Sequence, residues 1–452
     1  MEKRIQEIFN IHPGEGRMVA LVLIYAIALY FSNVMARTAS MALFLSEYGA
    51  DTLPYTYVFL MFIGPLVSLI YLRLNNRFSL SRVLLGIHIF LLISLIVLPL
   101  VLNRSVAPVL LFILPIYFGV NNSLTISSFW NLLGRIYNLR QGKRLFALLS
   151  SGEHMATIVA GFMAPLFVAR IGTINLYWIG TLFMVITVFM LIIINRANAE
   201  KMGVVATGRT EKAGQSGISD LLKESYVRLI FALFTLFIIG IYMVGNINYA
   251  QAEIRFPSAD EMATYVGVFS GIFGVLSLLI QWVVAGRVLD RFGVRAMIMA
   301  TPTGLFVFML VYALVGSFTE WTSALFWLAA GAAMWQAILD AVDSTAINVL
   351  YQPLPAHLRT QVQTSVIGIV YPLAIGLSGL LLIFLYDVLG FDSIQLSYVV
   401  LIVILVWTIV GLRLGRAYPR RLRHALQTRT LGRLALSRPD RASLTVFENA
   451  LS

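Results

Sequence analysis

Cysteine is absent from the 452-residue chain, which excludes disulfides, thiolate metal sites and a cysteine nucleophile. Charge is scarce too. Asp, Glu, Lys and Arg make up 12% of the residues against 59% hydrophobic ones, and the mean hydropathy is +0.85. So little charge cannot keep a chain of this size in water, which leaves the bilayer as its solvent. Catalytic signatures are missing as well. There is no HExxH, no phosphate-binding glycine loop and no nucleophile elbow, and the central polar groups are amides rather than a nucleophile with its base. Neither an enzyme, a resident cofactor nor a metal site is expected. The start, Met1 to Arg17, mixes Glu2, Lys3, Arg4, Glu7 and Glu15 with Pro13 and shows no small-residue cleavage site, so the first apolar segment is expected to stay in the protein.

What is present is a succession of long apolar segments. We read them at 18–45, 53–73, 82–102, 106–133, 146–169, 174–195, 227–250, 262–286, 294–316, 321–349, 363–386 and 394–415. At about 20 residues per crossing, twelve spans take up about 240 residues, over half the chain. The 33 basic residues outnumber the 21 acidic ones, and their placement orients the spans. Nearly all fall on the tail 1–17, on the connections near Arg73–Arg82, Arg135–Arg144, 196–223 and Arg287–Arg295, at Arg359 and after the last span. The opposite side holds Glu47, Asp51, Glu253, Asp260, Glu261, Glu320, Asp387 and Asp392, with Arg104, Arg170 and Arg255 as its basic residues. This bias places both termini in the cytoplasm. The surplus therefore orients helices and meets anionic lipid rather than nucleic acid. The expected organisation is a cytoplasmic segment 1–17, a six-helix bundle 18–195, a Gly-rich cytoplasmic linker 196–226, a second six-helix bundle 227–416 and a basic tail 417–452.

The two halves repeat at the connections after spans two and eight. The second copy runs Gly286, Arg287, Val288, Leu289, Asp290, Arg291, Phe292, Gly293, Val294, Arg295. There glycine allows a reversal and the acid caps or pairs with the following arginines. The first copy keeps Arg77 and Phe78 but has Asn76 where the acid belongs. This loop resembles the signature of the major facilitator superfamily. The resemblance implies an all-α membrane protein with twelve helices in two pseudo-symmetric bundles, and transport by alternating access.

Four further stretches are similar to the bacterial and plastid nucleotide transporter (ATP/ADP translocase) family, particularly its divergent bacterial relatives. They are Gly14-Glu15-Gly16-Arg17 leading into Arg37-Thr38 and Ala42 to Ala50; Phe129-Trp130-Asn131; Lys143 to Ala147; and Tyr351-Gln352-Pro353-Leu354-Pro355 ending at Arg359. That resemblance implies an anionic, nucleotide-like solute. Where the family carries a basic and acidic pair after the arginine matching Arg37, this chain reads Ser40 and Met41.

Polar groups inside the bilayer are costly, so those present are the candidate site. In the superfamily fold spans one, four, seven and ten line the cavity, and polar residues gather on those spans here. The substrate-binding candidates are Asn33, Arg37, Asn121, Asn122, Trp130, Asn246, Asn248, Gln251, Trp335 and Gln336. Arg37 either holds a phosphate or carboxylate, or pairs structurally with a cavity acid or snorkels outward. The coupling or gating candidates are Glu153, His154, Asp340, Asp343, Arg135 and Arg144. Gln336, Asp340 and Asp343 share one helix face at i, i+4 and i+7, where the two acids either carry coupling or pair with Arg135 and Lys143 at an inner gate. Glu153 either titrates or pairs with Arg135 or Arg144. Gly286, Asp290, Arg291, Gly293, Arg295 and Arg77 form the conformational motif. His88 is expected to be a core or interfacial residue, and Gly267, Gly271 and Gly274 a close helix contact.

The expected partners are a small-molecule solute and anionic lipid at the cytoplasmic face, with no nucleic acid. The chain is expected to be monomeric in a bacterial inner membrane, with a soluble region or partner beyond the tail. Two alternatives stand beside transport of an anion. One is a proton-coupled exporter of amphiphiles using Glu153 or Asp340, and the other a scaffold or sensor that keeps the fold without the cycle.

Overall fold

The computed structural model describes residues 12, 14–104, 107–202, 221–283, 285–319 and 321–427, and the side chains of 281–292, 340, 341, 344 and 345 among others fall outside the description. Eleven helices are long and apolar enough to cross a membrane. The first, Gly16–Arg77, is 62 residues long and loses helical geometry at Gly49, where φ is 77° and ψ 173°. That region is closed to residues with a Cβ. The chain therefore turns back at Gly49, and its arms, 16–48 and 50–77, are spans one and two, which gives the twelve segments that the hydropathy predicts.

Span three is Leu80–Arg104, span four Pro108–Ile136, span five Leu139–Ile171 and span six Leu176–Ala197. After the short helix Ala199–Met202 come span seven, Ser225–Arg255, and span eight, Ala259–Val283. The helix Ala285–Phe318 breaks at Gly293 (φ 70°, ψ 174°), so the repeated loop is a short helix ending in a reversal, and span nine runs on from there. Span ten is Thr322–Leu350. Span eleven, Leu358–Val388, contains two π-helical turns, Val366–Val370 and Phe384–Val388, and span twelve is Ser393–Gln427. Most of the linker and the tail after Gln427 lie outside the described residues.

The chain folds into two compact units. One holds Met1–Arg209 together with Ala252–Leu278, and the other Thr210–Gln251 with Leu279–Ser452. In the first unit span one is deeply buried and packs against spans four, five and six, with Phe31 stacked on Phe183 at 3.7 Å between ring centroids. His88 is fully buried, sharing a hydrogen bond with the Tyr25 hydroxyl at 3.0 Å while its Nδ1 lies 2.7 Å from Leu84 O. This is the core role, one of the two expected of it. In the second unit Trp407 is buried edge-to-face against Phe237, 5.5 Å away.

The end of span seven from Ala252 and span eight as far as Leu278 belong to the first unit. Gly161 of span five faces Gly267 and Gly271 of span eight so closely that a Cβ on it would lie 2.4 Å from Gly271 N and 2.7 Å from Gly267 O. A Cβ on Gly274 would lie 3.0 Å from Ile158 N and 3.2 Å from His154 O. The glycine row of span eight is thus a seam with span five, as close-approach spacing in lipid requires.

Candidate functional site

In the first unit a polar cluster forms where spans one and four meet. Asn33 Nδ2 lies 3.4 Å from Asn122 Oδ1, and Asn121 receives a hydrogen bond from Thr125 at 3.2 Å while donating to the Tyr117 hydroxyl at 3.3 Å. Arg37 is one turn beyond Asn33 on the same helix and only partly exposed, its guanidinium 6.0 Å from the centre of the Phe118 ring. Among the described residues no carboxylate pairs with it. Among the described residues the Phe118 ring is the aromatic face that meets its charge. Ser40, which stands where the nucleotide transporter family has its charged pair, is buried and shares a 2.8 Å hydrogen bond with the Tyr177 hydroxyl. A neutral pair fills that place.

Trp130 is half exposed and packs edge-to-face on Phe129 and Phe146. Glu153 lies beside the buried Tyr30 hydroxyl. Its neighbour His154 keeps a buried Nδ1 for which the described residues supply no hydrogen-bond partner. Arg135 is partly buried.

Arg144 bonds Glu15, at 2.8 Å and 2.7 Å to its two carboxylate oxygens. Gln141 donates to the same carboxylate at 2.9 Å and the His12 amide at 3.1 Å. Gln141 also completes a capping box with Asn138, so the start of span five is fixed and aimed at the N-terminal segment. Burial pushes the Glu15 carboxyl up, but the bonds from Gln141, His12 and Arg144 outweigh it and hold it below its ordinary range. Sequence reasoning missed Glu15 as Arg144's partner, although it lies inside the quoted Gly14–Arg17 stretch.

Two acids of the second half close onto the first half's turns within the same unit. Glu253 accepts the Ala50 amide at 2.8 Å, just after the Gly49 reversal. Asp260 accepts the Thr173 amide at 2.9 Å and its hydroxyl at 2.6 Å, and that hydroxyl also lies 3.1 Å from Ala259 O. Both acids were legible only as outer-side charges. The signal that could have found them is a glycine turn offering a free helix N-terminus.

The second unit carries the other candidates. Asn246 is fully buried and accepts the Tyr386 hydroxyl at 2.6 Å, a residue aimed by the second π-helical turn. Such turns favour functional sites. Asn248 is buried. Gln251 donates to Ser393 at 3.1 Å, and Tyr312 donates to the same hydroxyl at 3.1 Å. Asp343 is buried and accepts the Thr301 hydroxyl at 2.7 Å. Trp335 presses its indole onto Gly304 of span nine beside Phe308, and Gln336 is half buried. The side chains of Asp340, Gly286, Asp290, Arg291 and Lys143 lie outside the description. Arg295 is exposed, its stem against Gly415. Arg77 is exposed and stacks on Phe78. Arg359 closes the Tyr351–Pro355 stretch by donating to Gln352 O at 2.8 Å and Leu354 O at 3.3 Å. Among the described residues no cluster of His and acids could hold a metal ion.

Twelve crossings, with glycine reversals at Gly49 and Gly293 and buried amides inside the spans, define a polytopic helical membrane protein. The chain belongs to the Major Facilitator Superfamily, whose model matches residues 21–379, and is a transporter rather than an enzyme. Among curated proteins it is similar to ADP,ATP carrier protein 1 of Chlamydia muridarum (strain MoPn / Nigg), 26% identical over 211 residues, and to that of Chlamydia trachomatis serovar D, 24% identical over 208. Each alignment covers 40% of this chain and 39% of the relative, so the chain spans about two fifths of the length of the curated relatives it matches.

Solved structures share the fold. A POT family transporter in complex with a thioalcohol-conjugated peptide has a TM-score of 0.66 at 13% identity, over 90% of this chain and 96% of that one. A bacterial homologue of the iron transporter ferroportin in an inward-facing state scores 0.64 at 16%, over 88% and 98%. The nucleoside transporter NupG scores 0.62 at 12%, over 88% and 98%.

Proposed function

We propose that this chain is a secondary transporter in a bacterial inner membrane, with both termini cytoplasmic, that moves a small anionic solute by alternating access. The solute class we favour is a nucleotide or other phosphorylated metabolite, exchanged by antiport. The observation that carries the reading is Arg37, a cation partly buried in span one, set among Asn33, Asn122 and Phe118 with no carboxylate paired to it among the described residues. A planar guanidinium beside amide donors matches phosphate or carboxylate oxygens bidentately. The stretch of likeness to the ADP,ATP carriers supports the same class.

For the transport cycle, the clasp of Glu253 on Ala50, of Asp260 on Thr173 and of span eight on Gly161 is the closed outer gate. Glu153 and His154, on the span that forms the glycine seam, are the coupling candidates.

The test is the thermal midpoint of the purified protein against nucleotides, sugar phosphates and amphiphiles, with Arg37→Ala and Arg37→Lys beside it. A ligand at a hundred times its Kd stabilises the folded state by about 2.7 kcal/mol. An anion should raise the wild-type midpoint, leave Arg37→Ala unmoved and shift Arg37→Lys in part. If amphiphiles alone raise it, the exporter replaces this reading. If nothing in the panel does, the scaffold replaces it.

A further inference from the structure

Outside the candidate site, the first unit contains a crevice of about 650 Å³ between spans two, three and four. Its wall is almost wholly apolar, with Ile70, Leu74, Phe78, Gly86, Phe90 and Leu124 among the lining residues. The lining on span two runs at helical spacing from Val67 to Leu74, so the crevice is about 10 Å deep along that helix. Tyr71 contributes its ring, because its hydroxyl accepts the Asn131 amide at 2.9 Å. A Cβ placed on Gly86 would meet nothing within 4 Å, so the wall is open there, and Ile70 and Phe90 are 48% and 55% exposed.

Charge sits at one end only. Arg82 lines the crevice, and the Arg77 guanidinium lies 5.7 Å from the centre of the Phe78 ring that forms part of the wall. Among the described residues neither arginine has a carboxylate partner.

We propose that this crevice binds one anionic phospholipid, with one of its two acyl chains between spans two, three and four and its phosphate between Arg77 and Arg82. The charge pattern selects that occupant. A polar solute would lose its hydration to an apolar wall without replacement bonds, while a neutral amphiphile would leave both guanidinium groups unused. An anionic head on an apolar chain satisfies both ends, and the arginines lie on the face that the positive-inside bias places toward the anionic cytoplasmic leaflet. The bound lipid would wedge between spans two and three beside the Arg77–Phe78 turn.

The site is independent of the solute reading, since Arg37 does not line it. The experiment titrates the detergent-purified protein with phosphatidylglycerol, and separately with phosphatidylcholine and with glycerol 3-phosphate, following bound lipid by native mass spectrometry. Three chains are compared: wild type, Gly86→Phe to fill the crevice, and the double variant Arg77→Gln/Arg82→Gln. Wild type should retain one phosphatidylglycerol against detergent and neither of the other two. The double variant should bind it about tenfold more weakly or worse, the loss of at least one charge-assisted bond. Gly86→Phe should abolish the retained copy. Equal retention of phosphatidylcholine, binding of glycerol 3-phosphate alone, or unchanged affinity in the double variant overturns the proposal. Because Arg77 and Arg82 are exposed, the double variant keeps the test decisive even if Gly86→Phe does not fold.

Discussion

Gly161→Ala offers a direct perturbation of the outer clasp. The new Cβ would stand 2.4 Å from Gly271 N, 2.6 Å from Gly271 Cα and 2.7 Å from Gly267 O, all of them backbone. Raising 2.4 Å to the 3.4 Å at which ordinary contact begins moves spans five and eight apart by about 1 Å. No rotamer can relieve this. Overpacking of this kind costs about 1–3 kcal/mol, and the cost falls on the clasped state alone. The helix propensity gained on replacing glycine, up to about 1 kcal/mol, is common to both states and cancels. The clasped population should therefore fall about 5- to 150-fold relative to the open one.

The absence of cysteine makes the assay clean. Ala50, 1% exposed beneath Glu253, becomes the sole thiol as Ala50→Cys, and its reaction with a membrane-impermeant maleimide reports opening. Labelling should accelerate by the factor above in the Gly161→Ala background. Gly64→Ala, where a Cβ meets nothing within 4 Å, should leave the rate unchanged. A folded Gly161→Ala protein that labels at the parental rate would refute the gate and leave the seam as static packing.

Four other outcomes are expected. Glu15→Gln should lower stability by about 1–3 kcal/mol, since Arg144 and Gln141 lose a charged acceptor, and a thermal midpoint at neutral pH measures it. Because the folded Glu15 carboxyl is held below its ordinary range, its contribution is complete at neutral pH and disappears only as pH falls through that lowered value. The difference between wild type and Glu15→Gln should thus vanish in acid and not in base. Tyr386→Phe removes the 2.6 Å bond to buried Asn246 and should cost about 1–3 kcal/mol in the same assay. Gly293→Ala forces a side chain into φ 70°, ψ 174° and should cost about 1–3 kcal/mol, read as a drop in midpoint.

Much of the architecture is legible in the sequence because a bilayer imposes one rule on every crossing: about 20 apolar residues with all backbone bonds internal. Run length alone then separates the spans. Gly49 is the instructive case, because a helix assignment joins spans one and two while hydropathy divides them, and a positive φ resolves the two views. The glycine row at Gly267, Gly271 and Gly274 announced a close contact through its spacing, but its partner, span five, lies about a hundred residues away and leaves no local trace. The same limit hid Arg144's partner. The fold brings Glu15 to it from just before span one, far away in sequence. Arg37 was conspicuous by depth, a property of one helix. Tyr386 was not, since its role depends on a π-helical turn that no apolar period encodes.

The chemistry of the clasp differs from that of the Glu15 latch in a way that fits a part that opens. Glu15 receives Arg144, Gln141 and the His12 amide, all from the first half of the chain, and breaking it takes a carboxylate from a largely buried guanidinium. In the clasp the acids Glu253 and Asp260 bind backbone amides and a hydroxyl instead of cations, and the seam beneath is glycine on glycine. Opening therefore exposes two carboxylates to water, which replaces their charge-assisted hydrogen bonds at a net cost of about 1.5–3 kcal/mol each. It separates backbones held by dispersion rather than by a desolvated ion pair. A gate must be stable enough to close and weak enough to release within a turnover. Converting one of its bonds to an ion pair, for example with Thr173→Lys opposite Asp260, should lock it and slow solute flux while raising the thermal midpoint.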